Sequence, residues 1–134
     1  MKMKKLILIA CALLIGSVSL YAQTSKPAVP ETIVFAKTIH DYGTIVQGAD
    51  GNCEFKFTNK GKEPLVLSNV TSSCGCTVPV WPREPIAPGK SGSIKVKYDT
   101  NRVGNFTKSI TVNSNAANNP VMLQIKGNVT PKAN

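Results

Sequence analysis

The sequence has few charged residues, few aromatic residues and a single histidine. Charged residues make up 17% of the 134 residues and aromatic residues 6%, whereas soluble domains usually have about 25% charged residues. Leu, Glu and Ala do not recur at helical spacing, which excludes a helix-rich fold. The lone His has no serine in an elbow motif beside it, and no Rossmann or P-loop motif is present. The length leaves room for one domain and excludes a large multidomain enzyme.

The first 22 residues have the pattern of a secretory signal peptide. Three lysines within the first five residues precede an apolar stretch from Leu6 to Leu20, and the small residue Ala22 precedes Gln23. This is the usual order of a basic start, an apolar centre and a cleavage site. The apolar stretch of about 15 residues is shorter than the ~20 that a spanning helix needs. We therefore predict cleavage after Ala22 and export to the periplasm or the outside, with no stable membrane span afterwards.

Cys11 lies at the end of a segment with the pattern of a lipoprotein signal, Leu8-Ile9-Ala10-Cys11. Acylation of Cys11 would leave only residues 6–10 as the apolar centre, which is shorter than the ~7–15 residues of ordinary signals. We therefore expect Cys11 to be removed with the signal peptide.

Removal of residues 1–22 from the 134 leaves 112 residues, with 13 Lys plus Arg against 7 Asp plus Glu and a net charge of +6. The charges are spread along the chain without a basic run, which argues against nucleic acid as a partner. We predict a flexible leader over residues 23–31, one domain over residues 32–130 and a C-terminal tail over residues 131–134.

Within the domain, apolar and polar residues alternate in short runs. In residues 52–59, Cys53, Phe55 and Phe57 fall on one face, as expected for a half-buried strand. Asn59 and Gly61 predict a hairpin turn. The prolines after residue 78 predict a crossing loop rather than a central strand. The predicted extended segments are 32–39, 44–47, 52–59, 64–70, 76–80, 93–98, 106–112 and 121–129.

This pattern predicts an all-β fold, an immunoglobulin-like antiparallel β-sandwich of about seven strands. The inward rows of successive segments would meet in one core. The predicted core residues are Phe35, Phe55, Phe57, Leu65, Leu67, Ile94, Val96, Tyr98, Phe106, Ile110, Val112, Leu123 and Ile125.

Several segments are together similar to one bacterial family. They are Asp41-Tyr42-Gly43-Thr44-Ile45, Phe55-Lys56-Phe57-Thr58-Asn59, Ser73-Cys74-Gly75-Cys76-Thr77, Pro85-Ile86-Ala87-Pro88-Gly89-Lys90 and Gly104-Asn105-Phe106. Over roughly residues 33 to 129 the chain resembles domain-of-unknown-function family 1573 (DUF1573). That family resembles the Hydin-like and major-sperm-protein-like immunoglobulin folds, and its members are mostly exported proteins of Bacteroidetes-type bacteria. The resemblance implies the fold and no established activity.

Three cysteines remain after removal of the signal peptide, and they are the disulfide candidates: Cys53, Cys74 and Cys76. In an oxidising compartment Cys53 can bridge to Cys74 or Cys76. Closing a loop of about 20 residues would contribute roughly 3 kcal/mol in the chain-entropy model. Because the number is odd, one thiol is left over whichever disulfide forms.

Two alternatives give the Cys74-Gly75-Cys76 motif a chemical role. Thiolates select Cu(I), and Cys53 would supply a third ligand, with Met122 or His40 if the fold brings them near. Zinc is disfavoured because a structural zinc site takes four ligands. A redox-active Cys74/Cys76 pair would need a helix N-terminus or an adjacent base to lower a thiol pKa, and the sequence shows neither.

Other conspicuous residues have simpler interpretations. His40 and Asp41 would diverge in a strand, because adjacent side chains point to opposite faces. Trp81 is either an exposed stacking surface or a cap on the sandwich, and we favour the cap. Residues 113–119 contain four Asn and predict a solvated turn.

The sequence therefore predicts a protein that is not an enzyme, has no cofactor and has no firm metal site. The expected function is an exported binding or structural module of the bacterial cell envelope, with an envelope protein or glycan as its partner. The alternative is a periplasmic thiol-redox or Cu(I)-handling protein that uses Cys74-Gly75-Cys76.

Overall fold

The structure is a computed structural model that describes residues 32–134. The predicted signal peptide (residues 1–22) and leader (residues 23–31) lie outside the described residues. Among residues 32–134, none forms a helix of the length and apolarity needed to cross a membrane. Eight strands account for most of this region: β1 (Ile33–Phe35), β2 (Ile39–Val46), β3 (Asn52–Asn59), β4 (Leu67–Ser72), β5 (Thr77–Val80), β6 (Ser91–Tyr98), β7 (Gly104–Ser114) and β8 (Val121–Thr130).

The strands form two four-stranded sheets that pack face to face. Sheet A has the order β1-β3-β6-β5 and sheet B the order β2-β8-β7-β4. The predicted all-β sandwich is confirmed, although β2 pairs with β8 in parallel and the other pairs are antiparallel. Residues 36–38 carry the chain from β1 in sheet A to β2 in sheet B without reversing its direction. This places β2 parallel to β8.

The core lies between the two sheets and consists of the predicted inward rows. Phe55, Ile94, Ile110 and Ile125 are among the fully buried side chains, at 0% exposure. Every predicted core residue is buried except Phe35, which is partly buried and packs against the others. Ile33, Val70 and Val129 complete the core. Period-two alternation was therefore a sound guide to burial in this chain.

The first two strands differ most from the predicted segments, and the other strand boundaries lie within three residues of the predicted ones. The predicted segment 32–39 is β1 followed by a change of sheet and the first residue of β2. β2 begins at Ile39 rather than at residue 44, because its pairing with β8 shifts register between Asp41 and Thr44. At this bulge the Gly43 amide donates to Asp41 Oδ1 at 2.8 Å, and Gly43 has a φ of +66°. A bulge interrupts alternation, so the pattern hides the first half of the strand.

Residues 59–62 do not form the predicted hairpin turn. β3 pairs with β1 and β6, and residues 60–66 carry the chain across to sheet B. Asn59, 1% exposed, holds this crossing. Its Nδ2 donates to the carbonyls of Glu63 and Ile86, both at 2.8 Å, and its Oδ1 accepts from the Gly61 amide at 2.9 Å. Asn59 and Gly61 therefore mark the crossing from sheet A to sheet B, which the buried side-chain amide of Asn59 stabilises.

The predicted crossing loop after residue 78 is in part an edge strand, because β5 includes Pro79. Prolines are tolerated at such edges. Trp81 follows β5 and packs partly buried against the core, with the Arg83 guanidinium 3.8 Å from its ring centroid. This is the arrangement expected of a cap.

Residues 113–119 are in part the predicted solvated turn, because residues 115–118 form an exposed or partly exposed turn. β7 continues through Ser114, and two asparagines beyond it hold other segments. Asn118 Oδ1 accepts from the Thr32 and Ile33 amides at 3.1 and 3.2 Å, and its Nδ2 donates to the Ile33 carbonyl at 3.0 Å. Asn115 Oδ1 accepts from the Val66 amide at 2.9 Å. These asparagines therefore fix β1 and the crossing segment before β4.

The strand directions define two ends of the sandwich. We call one the cysteine end; it comprises residues 47–51, 73–76, 99–103 and the exposed tail 131–134. The opposite end comprises Thr32, where the described chain begins, and residues 60–66, 81–90 and 115–120. The cysteine motif and Thr32 thus lie at opposite ends of the strands.

Candidate functional site

The cysteine motif occupies the loop in which the chain crosses from β4 in sheet B to β5 in sheet A. Cys74 and Cys76 are bonded to each other, with an S–S distance of 2.06 Å. Ser72 Oγ, at the end of β4, hydrogen-bonds to the carbonyls of Cys74 and Thr77, the latter at 2.8 Å. The Thr77 amide donates to the Cys74 carbonyl at 3.2 Å. The backbone on both sides of the disulfide is therefore held by its own hydrogen bonds.

The sequence allowed a bridge from Cys53 to Cys74 or Cys76, but in the structure Cys53 is a free cysteine. Cys53 is on β3, whereas Cys76 precedes β5, and β6 lies between these two strands. Two strand spacings put them about 10 Å apart even before any offset along the strands. Bridged cysteines have Cα atoms about 4.5–7 Å apart. The fold therefore leaves Cys53 as the unpaired thiol that an odd number of cysteines required.

The two sulfurs of the disulfide have different surroundings. Cys74 Sγ accepts hydrogen bonds from Arg102 Nη1 at 3.3 Å and from the Cys76 amide at 3.2 Å. Cys76 Sγ lies 3.8 Å from Thr77 Oγ1. Charge-assisted donors favour a thiolate over a neutral thiol. In the reduced protein, Cys74 would therefore be the more easily ionised of the pair.

Sequence reasoning missed Arg102, which lies 28 residues after Cys74 and reaches it only because the β6–β7 loop folds back over the β4–β5 loop. That loop is held to the motif by a hydrogen bond from the Asp99 amide to the Cys76 carbonyl at 2.9 Å. The motif is also joined to β7, because the Ser73 amide donates to the Ser109 carbonyl at 2.9 Å. Both sheets thus position the site.

The fold does not assemble the copper site considered from the sequence. Among residues 32–134, no group of three or more His, Cys, Asp or Glu side chains is placed to hold a metal ion. Met122 is on β8 with its Sδ 3.1 Å from Thr111 Oγ1. Cys53 is separated from the motif by β6, and Cys74 and Cys76 are bonded to each other. The fold therefore does not bring Cys53 together with Cys74 and Cys76 as a set of three thiolates.

Cys53 and Tyr42 form a second group of titratable residues near the cysteine end. Cys53 is partly buried against the core. Burial raises the pKa of its thiol, and a side-chain hydrogen bond with Tyr42 partly opposes this rise in pKa. Tyr42 Oη donates to the Gly51 carbonyl at 2.6 Å, and burial is the main cause of its raised pKa. Both groups are held neutral, which suits a structural role.

His40 and Asp41 diverge as predicted. The His40 ring packs edge-on against Tyr42, with 4.5 Å between ring centroids. Asp41 instead accepts the Gly43 amide and is exposed. Burial and the nearby Lys37 lower the pKa of His40. This arrangement provides no carboxylate to orient the imidazole as a base.

The family model described as "Protein of unknown function (DUF1573)" matches residues 33–129. The chain belongs to the DUF1573 family. The predicted family resemblance is thereby confirmed. No curated protein matches this DUF1573 sequence.

Solved structures place the DUF1573 domain among immunoglobulin-like folds. A protein of unknown function from Porphyromonas gingivalis W83 has a TM-score of 0.64 at 20% identity, over 78% of this chain and 51% of that chain. The PapD-like domain 7 of human CEP192 also has a TM-score of 0.64, at 7% identity, over 77% of this chain and 88% of that domain. The Vibrio cholerae protease VesB has a TM-score of 0.61 at 14% identity, over 72% of this chain and 32% of that chain.

The DUF1573 chain spans about half the length of the Porphyromonas protein and about a third of the protease. At these identities the likeness shows the fold alone. The predicted immunoglobulin-like sandwich is therefore confirmed. A shared fold does not assign a function to the DUF1573 domain.

Proposed function

We propose that this DUF1573 protein is an exported binding module of the bacterial cell envelope, and that it contacts an envelope partner through its cysteine end. The observation that carries the proposal is the convergence of three interconnected loops at this end, away from Thr32, where the preceding chain joins the domain. Loops on a rigid sandwich are common recognition surfaces.

The loops of the cysteine end are joined to one another by hydrogen bonds. Thr100 Oγ1 donates to the Ala49 carbonyl at 2.6 Å, which joins the β6–β7 loop to the β2–β3 loop. The Asp99–Cys76 bond joins it to the cysteine motif. Beneath them, the rings of Tyr98 and Phe106 stack with centroids 3.8 Å apart. A surface that is already ordered loses less conformational entropy when it binds.

The cysteine end also exposes chemistry suited to a protein or glycan partner. Val103 is 51% exposed, and it adjoins the exposed Arg102. Arginine is among the residues enriched at protein–protein interfaces. The loops of the opposite end, in contrast, use Asn59, Asn115 and Asn118 to hold the fold together.

Strand addition at the β5 edge of sheet A is disfavoured. The Asp99 amide donates to the Cys76 carbonyl, in line with the pairing of β6 and β5. In an antiparallel pair, only every second residue turns its backbone groups toward the partner strand. The backbone groups of Thr77 and Pro79 therefore point away from β6, toward the free edge of β5. The amide and carbonyl of Thr77 are already bonded within the cysteine loop, and Pro79 has no amide hydrogen. These features favour recognition by the loop end.

Export is supported by the signal-peptide pattern, and it has a direct test. The protein recovered from the cell envelope should begin at Gln23, as measured by intact mass spectrometry. Recovery of the protein from the cytoplasm with residues 1–22 still attached would contradict export.

Binding through the cysteine end is tested by photo-crosslinking in growing cells. A photoreactive amino acid at Val103 should yield a discrete crosslinked species. The same amino acid at Val66, an exposed valine of the opposite end, is the matched control and should yield none. Crosslinks from Val66 alone, or from neither position, would contradict the proposal.

A further inference from the structure

We infer that the Cys74–Cys76 disulfide is a thiol–disulfide exchange site, which accepts two electrons from a pair of thiols and has Cys76 as the attacked sulfur and Cys74 as the leaving sulfur. The inference adds chemistry to the proposed binding end. It stands on the contacts of the cysteine pair and does not require the envelope partner.

The disulfide is open to an incoming thiol. Cys74 and Cys76 are both partly exposed, and Gly75 between them is exposed. A Cβ built on Gly75 would have no heavy atom within 4 Å among the non-neighbouring residues, so the loop is open to solvent at Gly75. Cys76 packs with one side against the core, and Arg102 lies against Cys74, so an incoming thiol approaches from the Gly75 side. A structural disulfide in a core would lack this access.

The contacts at the sulfurs set the direction of attack. In thiol–disulfide exchange, the sulfur whose thiolate is better stabilised leaves faster. Arg102 and the Cys76 amide both donate to Cys74 Sγ. The adjoining loop and strand also carry Asp99, whose Oδ1 accepts from the Asn101 amide at 3.1 Å, and Lys108. Arg102 is the charged group in contact with the sulfur, so Cys74 is the better leaving group.

The exchange proceeds in two balanced displacements. A substrate thiolate attacks Cys76 Sγ; the new S–S bond forms as the Cys76–Cys74 bond breaks, and Cys74 leaves as a thiolate beside Arg102. The second substrate thiolate then attacks the substrate sulfur of this mixed disulfide and releases Cys76 as a thiolate, which takes a proton from solvent. Two electrons pass from the substrate sulfurs to the protein, and the substrate is left as a disulfide.

The loop is built to keep its shape in both oxidation states. The bonds from Ser72 Oγ and from the Thr77 amide hold the carbonyls on either side of the pair. None of these bonds involves a sulfur atom. The reduced thiols would therefore remain close together and able to re-form their bond.

Redox titration tests the exchange directly. The protein, purified in its exported form with Cys53→Ser, is equilibrated in glutathione buffers of graded potential, quenched in acid and labelled with a thiol-specific mass tag. We expect one two-electron transition in which both tags appear together on the folded protein. A disulfide that is reduced only after denaturation would overturn the inference.

A second arm asks which thiols the site accepts. The oxidised protein is mixed with one equivalent of an unfolded, reduced polypeptide carrying two cysteines, or with the same concentration of glutathione thiols. Formation of the polypeptide disulfide at least tenfold faster identifies polypeptide thiols as the substrate. Equal rates show that the site accepts polypeptide and small thiols alike, and no oxidation of either overturns the site.

Arg102→Gln tests the positioning role of the guanidinium. At pH 7 we expect alkylation of Cys74 in the reduced variant to be about tenfold slower, with its pH profile displaced upward by about one unit. Arg83→Gln, which removes the other arginine of residues 32–134, is the matched control and should leave the profile unchanged. Identical profiles for wild type and Arg102→Gln would overturn the assignment of Cys74 as the leaving sulfur.

These outcomes are distinct from those of the crosslinking experiment. If the disulfide does not exchange, the inferred redox chemistry is wrong, and the crosslinks at Val103 still test the proposed binding. An absence of crosslinks would leave the exchange measured in solution intact.

Discussion

At the residue scale, Asn59 shows how one buried amide can hold several backbone segments. Its side chain supplies two donors and one acceptor to three backbone groups around the β3–β4 crossing. We expect Asn59→Ala to lower the free energy of unfolding by about 2–4 kcal/mol, because buried backbone groups lose their partners. Urea denaturation measures the loss. Asn105→Ala, at an exposed position of β7, should change stability by less than about 0.5 kcal/mol, and equal losses in the two variants would contradict this role of Asn59.

Cys53 should make stability depend on pH in the alkaline range. Burial raises the pKa of its thiol, so the folded protein retains a proton that the unfolded chain has lost. The contribution is complete below the unfolded pKa of about 8.5 and is lost as the pH rises through the folded value. Between pH 8.5 and 10, the stability of wild type should therefore fall more steeply than that of Cys53→Ala. Parallel pH curves from thermal or urea unfolding would contradict the prediction.

At the element scale, β1 is a three-residue edge strand whose end is fixed by an asparagine from the β7–β8 loop. Asn118 bonds the Thr32 and Ile33 amides and the Ile33 carbonyl. We expect Asn118→Ala to destabilise the protein by about 1–3 kcal/mol and to accelerate amide exchange in β1. Hydrogen exchange followed by NMR tests this, with the central Ile94 amide of β6 as an internal control. Unchanged amide exchange in β1 would show that pairing with β3 alone is enough to protect this strand.

β5 is protected from edge-to-edge pairing by Pro79, which removes an amide that would face the free edge. We expect Pro79→Val to remain folded and to self-associate at concentrations at which wild type is monodisperse. Sedimentation velocity measures this change. Pro82→Val, in the loop beyond β5, is the control and should sediment like wild type. A monodisperse Pro79→Val protein would mean that the bonded groups of Thr77 are sufficient to close the edge.

The sequence predicted the elements whose signal lies in their own residues. Alternation in β3, β6, β7 and β8 reports one buried face, so it identified the core and the sandwich. The bulge at Gly43 and the crossing after Asn59 were missed, because they depend on which strand pairs with which. The Arg102–Cys74 contact has no local signal at all, since it exists only after two loops meet.

At the scale of the whole molecule, the disulfide contributes little to joining the two sheets. It closes a loop of three residues, for which the chain-entropy model gives about 1.5 kcal/mol, whereas the continuous apolar core spans both sheets. We expect the double variant Cys74→Ala/Cys76→Ala to unfold in one cooperative transition and to lose no more than about 2 kcal/mol. Circular dichroism during urea denaturation tests this. A loss of about 4 kcal/mol or more, or a non-cooperative transition, would make the disulfide a structural staple.

The parallel pairing of β2 with β8 has a mechanical consequence. The two strands run side by side from the opposite end to the cysteine end, so the chain enters the sandwich at one end and leaves it at the other. Tension applied between the two termini would pull these strands in opposite directions along their length. Their hydrogen bonds would then be sheared together rather than opened one after another, and a domain anchored at both ends would resist extension cooperatively.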